Sequence, residues 1–281
     1  GLDGYLIQTE GHDLILLGDS DKGSLNAIYG FLEDHLHVRW FMPGDLGEDV
    51  LPQQTIRIPH LRERHTPDFF AVHGLIWSGH TRGAPDWQRR NRASIGPPDY
   101  FFGHSFHHIL VETPELRAKH PDWFARDAKG NSKRSGQLCT SHPEVVAIAI
   151  RKAALFFDRK PEAATFGVSP EDGGGFCQDW RCQALDEEIG VDNGFITDRF
   201  MYFANQIAQG LRELDAVKYA DKRIGFLAYH NYINPPEKIV PDPMVTVVMT
   251  HMHWSYCDVH DMDDPRCPSN KGFSRRLQRW Q

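Results

Sequence analysis

The chain has 281 residues and a mass of 32.2 kDa, and 40% of its residues are hydrophobic and 25% are charged. This balance is typical of a globular protein and excludes collagen-like, coiled-coil and wholly disordered chains. The 31 basic and 38 acidic side chains give a net charge of −7, which argues against a nucleic-acid partner because such proteins usually carry a basic surface.

Residues 1–62 are predicted to form a small α+β domain. Short apolar runs at residues 5–7 and 14–17, separated by turn-forming residues, predict a β-hairpin. Apolar residues recur at helical spacing over residues 21–38, which predicts an amphipathic helix. Residues 55–58 precede a proline and are predicted to be the closing strand of the sheet.

Residues 66–281 are predicted to form a second domain of the α/β class. Apolar runs alternate there with long helical patterns, which is typical of a parallel sheet and favours a (β/α)8-type TIM barrel. About five strands are found where a complete barrel needs eight, so we expect the barrel to be abridged or to continue beyond residue 281. The predicted strands are residues 70–77, 100–102, 165–169, 223–229 and 244–250, and the predicted helices are residues 143–157 and 195–214.

Side chains suited to binding and chemistry cluster just after the predicted strand ends. Open parallel sheets and closed barrels both place their active sites at the carboxyl edge of the strands. A single histidine of this kind is more often an ordinary core or surface residue than a ligand. The predicted substrate-binding residues are His73, Trp77, His104, His107, His108, Tyr229, His230, Asn231, His251, His253 and Trp254.

The neighbouring carboxylates Glu171 and Asp172 are the catalytic candidates. They follow the strand predicted at residues 165–169 and precede three glycines at residues 173–175. Two adjacent carboxylates in a partly dry cleft disfavour double ionisation, so one of them can keep a proton near neutrality. A general acid that cleaves a glycosidic bond needs such a proton. The alternative is a solvated loop in which Asp172 caps a turn.

Five cysteines are an odd number, so at least one thiol stays unpaired. Cys177 and Cys182 are close in sequence, as are Cys257 and Cys267, and both pairs are candidates for small disulfide loops of an exported protein. Cys139 is then expected to be free and buried. Reduced core cysteines would fit the same sequence.

Other chemical templates fit poorly. Residues 251–263 carry three histidines and one cysteine, but their spacing matches no closed zinc pattern. Dinucleotide-binding and P-loop motifs are missing, as is the nucleophile elbow of the α/β-hydrolases. We therefore expect no metal and no cofactor, and keep a metal-dependent hydrolase as a third alternative.

Several segments resemble known families. The sequences DGYLI at residues 3–7, GSLNAIYG at residues 23–30 and VRWFMPG at residues 38–44 are similar to the small domain that precedes the barrel in β-hexosaminidases and α-glucuronidases. Farther along, the sequence resembles the glycoside-hydrolase-like barrel of domain-of-unknown-function family 4838. The segments that carry this second resemblance are HPDWF at residues 120–124, QLCT at 137–140, SPEDG at 169–173 and residues 257–270.

The resemblance implies a glycoside hydrolase that cleaves a terminal sugar from a glycan, most of all an N-acetylhexosamine. In hexosaminidases an adjacent Asp-Glu pair performs substrate-assisted hydrolysis: the Glu protonates the leaving oxygen, and the Asp orients the acetamido group. The order here is Glu171-Asp172, and Glu171 is the better acid candidate because its side chain is longer. By the same resemblance Tyr229 would bond the acetamido oxygen, and Trp77 and Trp254 would be sugar platforms.

Two alternatives remain open. An α-glucuronidase would need a basic side chain for the uronate, and Arg82, Arg89 and Arg90 are available. A non-catalytic carbohydrate-binding domain would keep the cleft without turnover. The expected partner is a glycan; no nucleic-acid partner and no membrane span are expected, because no run of about 18 apolar residues occurs. The expected location is secreted or periplasmic, with any export signal outside this sequence, and the oligomeric state stays open.

Overall fold

The computed structural model describes residues 3–67, 82–93, 103–190, 196–249 and 256–280. The chain divides into two units, Gly1–Pro98 and Asp99–Gln281. Their described residues form a mixed α/β protein with several small sheets. The strands within those residues close no barrel, so the TIM barrel stays a prediction. None of the described helices is both long and apolar enough to cross a membrane.

The first unit begins with the predicted hairpin. Strands β1 (Tyr5–Glu10) and β2 (Asp13–Gly18) pair antiparallel through a turn in which Gly11 adopts a φ of 60°. Helix α1 (Asp21–Leu36) follows, and the Ser20 side chain caps its N-terminus by accepting a hydrogen bond from the third residue of the helix. The hairpin and the helix are both confirmed.

The closing strand predicted at residues 55–58 is wrong. Those residues form no strand, and both isoleucines among them are more than a third exposed. Strand β5 (Arg62–His65) instead pairs antiparallel with β1, after the two short strands β3 (Arg39–Trp40) and β4 (Glu48–Asp49). The His65 ring stacks on Tyr5 at 4.5 Å between centroids. All residues of β5 are polar, so its sequence pattern does not predict a strand; pairing with β1 and this stacking hold it in the sheet. Helix α2 (Ala84–Arg90) is the last described element of this unit.

The second unit contains a three-stranded parallel sheet in chain order. Strands β6 (Thr165–Gly167), β7 (Arg223–Ala228) and β8 (Val245–Met249) confirm the predictions for those regions. The strands predicted at residues 70–77 and 100–102 lie outside the described residues. The helices of this unit are α3 (Phe106–Ile109), α4 (Pro114–Lys119), α5 (Pro143–Arg159), α6 (Trp180–Ile189), α7 (Thr197–Asp215) and α8 (Pro268–Trp280).

The two long predicted helices, α5 and α7, are confirmed and form the core of this unit. Helix α5 begins with proline at its first position, where no backbone donor is lost, and the His142 side chain accepts a hydrogen bond from its first turn. Helix α7 buries its apolar stripe against the sheet and α5. A Cβ at Gly210 would lie 2.4 Å from the Ile150 side chain, so the close approach of the two helices requires glycine.

Ser169 joins three neighbouring segments just past the end of β6. Its backbone N–H donates to the Ser105 hydroxyl at 2.8 Å, and its own hydroxyl accepts the backbone N–H of Leu227 at 2.9 Å. His104 lies beside Ser169 in parallel pairing. The order of parallel neighbours is thus the segment around residue 104, then β6, β7 and β8, and their carboxyl ends meet at one edge.

Candidate functional site

The two candidate carboxylates stand on the loop that leaves β6. Ser169 is fully buried, and Glu171 and Asp172 follow it after a single proline. The backbone of Gly173 has a φ of 84°, and its N–H donates to the Asp172 carboxylate at 2.8 Å. The chain therefore turns sharply after the second carboxylate, as the glycine-rich sequence allows.

Glu171 is held by two donors from one histidine. Its Oε1 atom accepts the backbone N–H of His107 at 2.7 Å and the His107 Nδ1–H at 2.8 Å. The side chain of Glu171 is 22% exposed, and among the described residues its Oε2 atom has no hydrogen-bond partner. One oxygen is thus fixed in place, and the other is free to contact a ligand.

The backbone of Glu171 is fixed as well. The Gln137 side chain, 1% exposed, donates to the Glu171 carbonyl at 2.7 Å and accepts the Glu171 N–H at 3.2 Å. Gly136 beside it has a φ of 69°, and a Cβ there would lie 3.2 Å from the Glu171 Cγ atom. The buried amide of Gln137 therefore holds the backbone of Glu171, and Gly136 leaves room for its side chain.

Asp172 is the more exposed carboxylate, with 74% of its side chain accessible. His104 Nε2 lies 3.4 Å from its Oδ1 atom, and His104 Nδ1 donates to the Pro170 carbonyl at 2.6 Å. The Tyr229 hydroxyl, at the end of β7, is hydrogen-bonded to Asp172. Burial, then the charge of Asp172, raises the pKa of Tyr229, so the phenol stays protonated and can donate.

A second tyrosine lies beneath this group. Tyr232 is 1% exposed and packs against Phe200 and Phe226 at 5.4 and 5.9 Å between ring centroids. Its hydroxyl has no hydrogen-bond partner in the part of the chain that the structure describes. Burial, followed by the charges of Tyr229 and the two carboxylates, raises the pKa of Tyr232. The floor of the site is therefore apolar and neutral.

His108 extends the site beside His107. The two rings meet edge to face at 4.3 Å between centroids. Burial, then the charge of His107, lowers the pKa of His108, so this imidazole is neutral near neutrality and can accept a hydrogen bond.

The remaining substrate-binding candidates fall into two groups. His230 and Asn231 lie on the turn that follows β7, where His230 has a φ of 47°, a conformation that costs a non-glycine residue some strain. The structure thus gathers His104, His107, His108 and Tyr229 around the two carboxylates, with the turn of His230 and Asn231 next in sequence. His73, Trp77, His251, His253 and Trp254 lie outside the described residues.

Gln137 and Tyr232 were missed by sequence reasoning. Gln137 belongs to the QLCT segment, but an amide that acts 34 residues away along the chain has no signature of its own. Tyr232 lies three residues after Tyr229, and this closeness in the sequence was a weak indication that it belongs to the same site.

The cysteines form two groups of thiols. Cys177 and Cys182 lie with Cys139 in one buried group, and Cys257 and Cys267 lie with a histidine in another. All five cysteines are free thiols in this structure, and the two disulfide loops stay a prediction.

Comparison with known proteins gives one match. A family model described as a domain of unknown function, DUF4838, matches residues 42–281. No curated protein and no solved structure matches the chain.

Proposed function

The chain belongs to the DUF4838 family, and we propose that it is a glycoside hydrolase that removes a terminal sugar from a glycan. The observation that carries the proposal is the pair of carboxylates at one sheet edge, each with its own polar partners. Glu171 is partly buried beneath two donors from His107, and Asp172 is exposed beside Tyr229. In glycoside hydrolysis one carboxyl group acts as the acid and the other assists it, and different environments of the two groups give them these different roles.

We propose in addition that the second unit is part of a (β/α)8 barrel. Its parallel neighbours follow chain order, from the segment around residue 104 through β6 and β7 to β8. A doubly wound sheet reverses its strand order at a switch point, whereas a barrel adds each strand beside the preceding one. The position of both carboxylates after β6 also agrees with the catalytic edge of a barrel.

In the proposed reaction Glu171 is the general acid. Its Oε2 atom gives a proton to the glycosidic oxygen, the bond from that oxygen to the anomeric carbon breaks, and the leaving group departs as an alcohol. The same carboxylate then accepts a proton from the water that completes hydrolysis. The bonds from His107 to Oε1 keep the carboxyl group in one orientation through both steps.

The pairing of Asp172 with Tyr229 supports an N-acetylhexosamine as the sugar. An acetamido group presents one N–H donor and one carbonyl acceptor. Asp172 can accept the N–H, and the Tyr229 hydroxyl can donate to the carbonyl once it turns from Asp172 to the substrate. Asp172 would orient the amide, and the acetamido oxygen would then attack the anomeric carbon to form a cyclic oxazolinium, which water opens. In this proposal Glu is the acid and Asp the orienting group, as in the hexosaminidases that the sequence resembles, although the two residues follow each other in the reverse order.

A panel of nitrophenyl glycosides tests the proposal. We expect release of nitrophenol from N-acetyl-β-hexosaminides, and a loss of about 100-fold or more in kcat for Glu171→Gln and for Asp172→Asn. The matched control is Glu187→Gln with Glu188→Gln, an adjacent acidic pair exposed on α6, which should keep the wild-type rate. Wild-type rates in both site variants would refute the assignment.

The same panel decides the two alternatives. A glucuronide as the preferred substrate would favour the α-glucuronidase, although Arg89 and Arg90 are already paired with Asp86 and Glu48 in the first unit. Glycan binding without any hydrolysis would favour a carbohydrate-binding domain. A secreted or periplasmic location is a separate proposal, which fractionation of the source cells tests.

A further inference from the structure

Three cysteines from separate segments meet in the interior of the second unit. Cys139 precedes α5, Cys177 ends the loop of the two carboxylates, and Cys182 lies in the first turn of α6. They are 0%, 2% and 0% exposed, and their sulfur atoms all lie within 4.8 Å of one another. The Cys139 and Cys182 sulfurs are 3.7 Å apart.

This spacing suits a metal ion. Zinc binds thiolate sulfur at about 2.3 Å, so two sulfurs at corners of a tetrahedron around it lie about 3.8 Å apart. A disulfide would use two of the three sulfurs at about 2.05 Å and leave the third without a role. The observed separation agrees with a shared ion and requires little movement of the backbone.

Two neighbouring groups complete the environment of such an ion. The Ser141 hydroxyl lies 2.9 Å from the Cys182 sulfur and 3.9 Å from the Cys139 sulfur. An oxygen is therefore close enough to take a fourth corner once an ion draws the Cys182 thiolate away from it. Arg199, 4% exposed, donates to the Cys177 carbonyl at 2.6 Å, and among the described residues its Nε atom has no partner. Three thiolates around one divalent ion leave a single negative charge. The Arg199 guanidinium lies beside it and offsets that charge in part, because it also pairs with Asp186 at 2.8 Å.

We propose that Cys139, Cys177 and Cys182 bind one zinc ion, with the Ser141 hydroxyl at the fourth corner. Thiolate ligands select zinc over harder cations such as magnesium and calcium. The fully buried sulfurs and the closed set of four ligands indicate a structural site. The ion would fasten three segments together, among them the loop that carries the catalytic candidates.

Cobalt replacement tests this site in the intact chain. We expect the purified protein to contain zinc, and the cobalt form to show the intense thiolate-to-cobalt charge-transfer band in the near ultraviolet. Cys139→Ala should remove one metal ion per chain and most of that band. The matched control is Cys267→Ala in the other thiol group, which is also buried and should leave the band of the first group in place.

The wild-type chain keeps the proposal testable if the variant does not fold. A chelator should lower the Tm of the wild-type protein, and zinc added back should restore it, because an ion that binds only the folded state stabilises that state. A wild-type protein that holds no zinc and develops no charge-transfer band would overturn the proposal. A folded Cys139→Ala variant with the wild-type band would overturn it as well.

Discussion

The side chain of Gln137 forms two hydrogen bonds with the backbone of Glu171: it donates to the carbonyl at 2.7 Å and accepts the N–H at 3.2 Å. Gln137→Ala leaves both backbone groups without their partner, which costs about 1–3 kcal/mol for each group that stays buried. We expect a lower Tm, and a lower kcat because Glu171, the proposed general acid, loses its fixed position. Gln178→Ala, which removes an exposed amide bonded to Lys133, is the control and should change neither.

Tyr229→Phe removes one hydroxyl next to Asp172 and keeps the aromatic ring. If the phenol binds the acetamido oxygen, kcat/KM for N-acetylhexosaminides should fall by about 10-fold to 100-fold, since one hydrogen bond to a charged or polarised group contributes about 1.5–3 kcal/mol. Substrates without the acetamido group should lose less. An equal loss for both kinds of substrate would contradict the role given to this residue.

Tyr232→Phe is predicted to stabilise the protein or leave it unchanged. The hydroxyl is buried without a partner among the described residues, and such a group costs free energy that phenylalanine does not. Urea unfolding should show a free energy of unfolding that rises by up to about 1 kcal/mol, with an unchanged slope. A decrease of that size would mean that the hydroxyl has a partner in the folded protein.

Acid stability should depend on the ion pair between Arg212 on α7 and Asp242. Two bonds from the guanidinium, at 2.7 and 2.5 Å, hold the pKa of Asp242 below its usual value. A carboxyl group whose pKa is lower in the folded than in the unfolded protein stabilises the folded state at every pH above its unfolded-state pKa of about 3.9. This stabilisation is lost as the pH falls through the pKa of the folded state.

Arg212→Met should therefore lower the free energy of unfolding at pH 7 by up to about 1 kcal/mol, since solvent screens an arginine that is 41% exposed. The variant should also lose less stability than the wild type between about pH 5 and pH 2. Denaturant unfolding across this range measures both effects. Arg151→Met, at an exposed arginine on α5, serves as control, and a wild-type slope in Arg212→Met would contradict the expectation.

Local pattern was enough to predict the elements that position the site. The apolar runs of β6 and β7 are buried, and so is the apolar stripe of α7 from Phe200 to Leu211, whereas Leu214 in its last turn is exposed. Over these lengths the sequence periodicity predicts the buried face correctly. The same pattern predicted that Glu171 lies just after β6, because the apolar run ends there and Glu171 follows it in the sequence.

Features made by distant pairing could not be predicted in this way. Strand β5 is polar and exists through its partner β1, so the apolar isoleucines at residues 56 and 58 were a false signal. The contact of Gln137 with Glu171 and the approach of Cys139 to Cys182 join segments that are 34 and 43 residues apart. Nothing in the spacing of such residues reports a tertiary contact.

The sheet order of the second unit also bears on how the molecule is made. Among the described strands, β7 lies beside β6 and β8 lies beside β7, so during synthesis each of them can dock on a partner that has already left the ribosome. His107, Gln137 and Glu171 all precede β7, so the Glu171 carboxyl group can acquire its hydrogen-bond partners before Tyr229 is translated. If these residues act as proposed, the site forms from the general acid to the group that orients the sugar, in the direction of translation.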